Sequence, residues 1–168
     1  MIGIIVVVGG AILLNAKKPT AGQAPSESTE SIPPELLAPS FTLEKIGGGN
    51  GRMEDYKGKV VLLNFWATWC GPCKREIPDL IMLQKQYAGQ GLQIVGVAFD
   101  QKPLVEQYVA EAEINYEVLI GTDDVATAFG GVPVIPKTFL IDRKGKIITT
   151  FEGMQEKKVL EQEIQKLL

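Results

Sequence analysis

The sequence predicts an α/β fold, with a central mixed β-sheet flanked by helices on both faces. Three observations lead there. Residues 60–66 and 92–99 are nearly continuous apolar runs, the pattern of strands buried on both sides. Amphipathic stretches alternate with them, as helices do around a parallel sheet. Two further strand-like runs, 137–142 and 146–152, meet across Asp142-Arg143-Lys144-Gly145, a hairpin signal that adds an antiparallel part. At 168 residues, 45% hydrophobic and 22% charged, the chain is globular and sized for one domain with a real core.

The elements follow in order. Ala-Pro-Ser-Phe-Thr-Leu at 38–43 reads as an opening strand, glycines 47–49 and 51 as a loop, and Tyr56-Lys57-Gly58-Lys59 as a turn. After the strand at 60–66, Ile77, Leu80, Ile81 and Leu83 give an apolar side to a helix over 73–87. Gly89 and Gly91 stop it. The strand at 92–99 leads to a helix over 103–113, with Pro103 in its first turn. Val118-Leu119-Ile120 reads as a short strand or a loop edge, and 123–129 as a short helix capped by Asp123 or Asp124. The hairpin comes next. A last helix over 155–168 carries Leu160, Ile164, Leu167 and Leu168 on one stripe. The expected order is β-β-α-β-α-β-α-β-β-α, without an internal repeat.

The N-terminus reads differently. Ile2 to Leu14 are all apolar or glycine, shorter than the ~20 residues that span a bilayer and close to the apolar core of a signal peptide. No small-x-small cleavage pattern follows closely, so residues 1–16 are expected to be a membrane anchor or signal segment, and retained. Residues 17–35, rich in Pro, Ser, Ala, Thr and Glu, cannot bury enough surface to offset their ordering entropy and are expected to be a flexible linker. The folded domain is expected over 36–168.

Several chemistries are excluded. Net charge is −3 and no basic run exceeds two residues, so the electrostatic footprint of nucleic-acid binding is missing. There is no histidine, which removes Cys-His and Ser-His nucleophile pairs and imidazole-based zinc or copper sites. Two cysteines remain, Cys70 and Cys73, in Trp69-Cys70-Gly71-Pro72-Cys73, where a buried strand runs into a helix. A thiolate there faces unpaired backbone N–H groups and the positive end of the helix dipole, which lowers its pKa. Cys70 is expected to be the exposed, acidic thiol and Cys73 the buried one. Gly71 relaxes the backbone and Pro72 suits the start of a helix. An inert bridge closing so short a loop adds little chain-entropy stabilisation, and a zinc site lacks its second pair of ligands. Redox chemistry is the reading that uses both thiols.

Asn64-Phe65-Trp66-Ala67-Thr68-Trp69-Cys70-Gly71-Pro72-Cys73-Lys74 resembles the active-site strand and turn of the thioredoxin superfamily, and Arg75-Glu76-Ile77-Pro78 narrows the likeness. Trp-Cys-x-Pro-Cys-x-x-Glu-x-Pro is similar to the extracytoplasmic TlpA/ResA branch of thiol–disulfide oxidoreductases. Ala38-Pro39-Ser40-Phe41, Tyr56-Lys57-Gly58-Lys59 and Ile135-Pro136-Lys137-Thr138-Phe139-Leu140-Ile141-Asp142 extend it across residues 36–168. The resemblance implies a thioredoxin-like fold with an N-terminal β extension. It implies that Cys70 attacks a substrate disulfide and that Cys73 resolves the mixed disulfide. Pro136 falls on the family's cis-proline, Ile135 would offer strand-like pairing to substrate, and Trp69 packs beside the site. Glu76, one turn beyond Cys73, would exchange the proton that resolution requires. Asn64 stands where cytoplasmic thioredoxins have a buried Asp, and it cannot titrate. No cofactor is implied beyond the redox-active Cys70–Cys73 disulfide.

The same resemblance implies an extracytoplasmic enzyme that reduces disulfides of protein substrates, such as the cysteines of apocytochrome c. Its electrons would come from a membrane donor of the CcdA or DsbD type. Three alternatives compete. A general disulfide oxidase or isomerase would use the same residues, so the reduction potential separates it. A thiol peroxidase needs a Pro and a Thr at spacings not found before Cys70, and peroxide turnover would reveal it. A copper-binding assembly module pairs two Cys with a distant His, which this chain lacks.

Overall fold

The structure is a computed structural model that describes residues 37–168. The anchor expected at 1–16, the linker expected at 17–35 and the first residue of the domain expected at 36–168 lie outside the described residues. Strands β1 (Thr42–Glu44), β2 (Asn50–Arg52), β3 (Val60–Trp66), β4 (Leu92–Ala98), β5 (Glu117–Ile120), β6 (Lys137–Ile141) and β7 (Ile147–Glu152) alternate with helices α1 (Gly71–Tyr87), α2 (Lys102–Glu111), α3 (Asp123–Ala128) and α4 (Lys157–Gln165). Five strands form the main sheet in the order β5-β4-β3-β6-β7, with β1 and β2 in a separate antiparallel hairpin. β3 is parallel to β4, β4 to β5, and antiparallel to β6, which pairs antiparallel with β7.

β3 is the central strand, and all seven of its residues are buried. Its side chains alternate between two cores, as a pleated strand requires. Val60, Leu62 and Trp66 pack with Ile77, Leu80 and Leu83 of α1, Val105 of α2, and Leu160 and Ile164 of α4. Val61, Leu63 and Phe65 point to the opposite face, where Val125 and Phe129 at α3 and Phe41, Leu43 and Tyr56 of the N-terminal segment cover them. Fully burying one such side chain stabilises the fold by about 1.5–3 kcal/mol. Phe65 also stacks on Phe99 and meets Phe129 and Phe139 edge-on. Helices therefore lie on both faces of a mixed sheet, as expected.

The N-terminal β extension crosses one face of the sheet from edge to edge. At one edge Leu37 bridges Lys146; at the other Lys45 bridges Leu119, and Ile46 N–H donates to Val118 O at 2.9 Å. Here the structure corrects the expected boundaries. The opening strand is Thr42–Glu44 rather than 38–43, because Pro39 has no N–H to donate to a ladder. Gly51 lies in a strand, β2, rather than a loop. A Cβ there would sit 2.7 Å from Leu119 Cδ2, so the glycine marks a close approach between hairpin and sheet.

Helix boundaries shift too. Thr122 caps α3, its Oγ1 accepting from Val125 N–H at 3.3 Å, while Asp123 and Asp124 occupy the first turn. α4 is confined to Lys157–Gln165, and Leu167 and Leu168 still pack against the core beyond its end. α1 begins at Gly71 rather than at residue 73, which makes Cys70 its N-cap.

Candidate active site

The site lies where β3 ends and α1 begins. Cys70 has extended backbone (φ −82°, ψ 104°), as an N-cap residue does, and its Sγ accepts from Cys73 N–H at 3.2 Å. A sulfur thus takes the place of the usual capping oxygen, and the orphan N–H of the first turn points at it. Cys70 and Cys73 are joined by a disulfide, their Cα atoms 5.3 Å apart. Both are buried, Cys70 at 5% exposed and Cys73 at 1%. Cys70 is the more accessible, but the exposure expected for it belongs instead to Trp69, at 71%. Gly71 and Pro72 form the exposed first turn. A Cβ on Gly71 would meet only Arg75 Nη1 at 3.7 Å, so nothing around it requires a glycine.

Opposite the cysteines stands the segment before β6. The Ile135–Pro136 peptide is cis, Pro136 is buried, and Ile135 O lies 3.7 Å from Cys70 Sγ. A groove of about 280 Å³ opens beside this contact, lined by Trp69, Phe99, Asp123, Val132, Pro133 and Ile135. Its wall is largely apolar.

Glu76 sits behind the pair, 1% exposed on the inner side of α1. Oε2 accepts from Asn64 Nδ2 at 3.1 Å and Oε1 from Gln155 N–H at 2.8 Å. Asn64 also donates to Thr138 Oγ1 at 2.9 Å, across the β3–β6 register that places the two residues opposite each other. Burial pushes the Glu76 carboxyl above the usual carboxylate range. The hydrogen bonds from Gln155 and Asn64 oppose that rise, and the nearby Asp79 charge adds to it. Glu76 is thus held inside the fold and not paired with Lys74 or Arg75 at the surface.

Asn64, Cys70, Cys73, Glu76, Ile135 and Pro136 are therefore gathered at one end of the central strands, with Trp69 at the rim. The sequence reading did not single out Thr138 or Gln155. Thr138 lies in the Ile135–Asp142 stretch, but only the register shows that it faces Asn64. Gln155 contributes its backbone N–H, for which side-chain identity gives no signal. Thr68 was also missed; its hydroxyl bonds to Asp100, tying the turn before Cys70 to the end of β4.

The AhpC/TSA family matches residues 35–150. This chain belongs to the AhpC/TSA family. Within it, the thiol-disulfide oxidoreductase ResA of Bacillus subtilis strain 168 is 38% identical over 125 residues, covering 74% of this chain and 70% of that protein. A crystal structure of a putative thiol:disulfide interchange protein DsbE from Chlorobium tepidum superposes with a TM-score of 0.74 at 32% identity, covering 78% of this chain and 94% of the other. The exposed lipoprotein thioredoxin Etrx1 of Streptococcus pneumoniae TIGR4 gives a TM-score of 0.68 at 28% identity, covering 77% and 100%. This AhpC/TSA member is thus a ResA-like thiol–disulfide oxidoreductase with a thioredoxin-like fold.

Proposed function

We propose that this oxidoreductase reduces disulfides in protein substrates at the outer face of a membrane, and that Cys70 and Cys73 carry the exchange. The observation that carries the reading is the placement of Cys70 Sγ at the α1 N-cap, 3.7 Å from Ile135 O and beside an apolar groove. In the reduced enzyme the Cys70 thiolate, favoured by the helix N-terminus, attacks one sulfur of a substrate disulfide. A Cys70–substrate bond forms, the substrate S–S bond breaks, and the first substrate thiolate leaves. Cys73 then attacks Cys70 Sγ, the Cys70–Cys73 bond forms, and the second substrate thiolate leaves and is protonated. Two electrons have passed to the substrate, and a donor must return two to the enzyme.

Glu76, three residues beyond Cys73 on α1, takes the proton that Cys73 sheds in the second step. Its raised pKa supports this role, because a buried carboxyl poised above the ordinary range can both accept and release a proton. Ile135 pairs with the substrate backbone, and Trp69 and the groove wall contact its side chains. The apolar residues 2–14 and the Pro/Ser-rich stretch after them support tethering by an anchor and linker, and the exposed lipoprotein among the structural neighbours supports an extracytoplasmic site. Among the described residues no helix is long and apolar enough to cross a membrane. The chemistry fits a substrate such as apocytochrome c, whose paired cysteines must be reduced before haem attachment, and a CcdA- or DsbD-type donor.

Trapping tests the reading. Cys73→Ser enzyme, incubated with a disulfide-bonded protein, should accumulate a mixed disulfide through Cys70 that dithiothreitol releases. Cys70→Ser should accumulate none. Equal trapping by both variants would remove the assignment of attacking and resolving thiols.

A further inference from the structure

Lys137, the residue after the cis-proline, is a nearly buried cation that the exchange reaction does not use. Its side chain is 10% exposed, although it opens β6 between two paired strands. Enclosing an ammonium is costly unless it is paired, and three partners meet this one. Nζ donates to Gly131 O at 3.0 Å, lies 3.3 Å from the Glu152 carboxylate on β7, and sits 5.4 Å from the centre of the Phe139 ring.

The first of these contacts closes a ring in the chain. Gly131 and Lys137 are six residues apart, and between them lie Val132, Pro133, Val134, Ile135 and Pro136. Val132, Pro133 and Ile135 line the groove, and Ile135 O faces Cys70. The segment begins at two left-handed glycines, Gly130 (φ +77°) and Gly131 (φ +86°), where φ is least restricted by a side chain. Val134 projects into solvent at 49% exposed, while Val132 and Ile135 on either side of it pack against the core. The Lys137 ammonium is thus a second tie at Gly131, whose own N–H donates to Ala126 O at 2.9 Å, and it joins that end of the loop to the sheet. Glu152, 61% exposed at the rim, orients it.

We propose that Lys137 is a positioning residue that latches the 131–135 loop against the sheet and so fixes the wall of the substrate groove beside Cys70. The proposal rests on the protein-disulfide reading above for its functional consequence, and on geometry alone for the latch. Lys137→Met keeps an unbranched stem of similar length and removes the ammonium, and with it the bond to Gly131 and the charge facing Glu152 and Phe139. Glu152→Gln, at an exposed position, removes only the orienting charge and leaves folding intact.

Hydrogen exchange of the Gly131 amide, which donates to Ala126 O at 2.9 Å at the base of the loop, reads the latch directly. A charge-assisted bond of this kind corresponds to roughly ten- to hundredfold in local opening, so Lys137→Met should exchange there about that much faster, and Glu152→Gln severalfold faster. With a disulfide-bonded protein substrate, KM should rise severalfold in both variants while kcat holds. The rate of Cys70–Cys73 reduction by dithiothreitol should be unchanged. Exchange at the wild-type rate in both variants overturns the latch. Faster exchange with an unchanged KM overturns its role in the groove. If wild-type enzyme fails to reduce protein disulfides, the protein-substrate reading fails, while the exchange measurement still decides the latch.

Discussion

Asn64 on the central strand donates its amide to Glu76 on the active-site helix, Nδ2 to Oε2 at 3.1 Å, inside the interface between sheet and helix. The same amide reaches Thr138 on the neighbouring strand. One non-titrating side chain therefore fixes the only buried carboxylate among the described residues. Its hydrogen bond to the carboxyl opposes the upward shift that burial causes.

Asn64→Ala should destabilise the domain by about 1–3 kcal/mol, because Glu76 Oε2 and Thr138 Oγ1 lose a buried donor. The loss should deepen as pH rises through the raised folded-state pKa of Glu76, since the carboxylate then forms with one hydrogen bond fewer. Urea unfolding at several pH values checks both. A pH-independent loss would mean that Asn64 supports packing and not the charge.

Glu76 makes a signed prediction of its own. Its folded pKa is raised, so the folded state binds more protons than the unfolded state between the ordinary value and the raised one, and stability falls as pH climbs through that window. Below the window the carboxyl is neutral in both states and the penalty is absent. In Glu76→Gln this part of the pH dependence should vanish, so the variant gains on the wild type as pH rises and the difference levels off above the raised pKa. The rate at which Cys73 resolves a mixed disulfide should also lose one inflection from its pH profile.

Gly96→Ala probes the floor of the site. Gly96 lies opposite Asn64 in the β3–β4 register, and an added Cβ would stand 2.9 Å from Trp66 Nε1 and 3.3 Å from Tyr116 Cε2. Both rings are buried and cannot retreat freely, so a cost of about 1–3 kcal/mol is expected. Thermal unfolding measures it.

Trp69→Ala separates binding from stability. The side chain is 71% exposed, so unfolding free energy should change by no more than about 0.5 kcal/mol. Reduction of a protein disulfide should nevertheless show KM raised about fivefold, equivalent to about 1 kcal/mol of lost aromatic contact. Steady-state kinetics beside a denaturation curve tests the pair of outcomes.

Much of this was legible in the sequence for physical reasons. The continuous apolar run of β3 could belong only to a strand covered on both faces, and the Cys-x-x-Cys spacing at its end placed both sulfurs on one helical turn. Residues that act through long-range register were less legible. β2 was missed because Asn50-Gly51-Arg52 has no apolar pattern; what makes it a strand is its antiparallel pairing with β1, which sets Arg52 opposite Thr42 and Asn50 opposite Glu44. Cys70 was expected to be exposed because it precedes a helix, but Ile135 and the neighbouring core close over it. Lys137 gave no signal at all, since its partners depend on how the loop at 130–135 returns to the sheet.

The equilibrium reduction potential of the Cys70–Cys73 pair tests the central claim most directly, titrated against glutathione or dithiothreitol. An enzyme that delivers electrons should show a value near or below about −250 mV, in the range of thioredoxin. A value near about −120 mV, as in a strong disulfide donor, would contradict the account and make the protein an installer of disulfides.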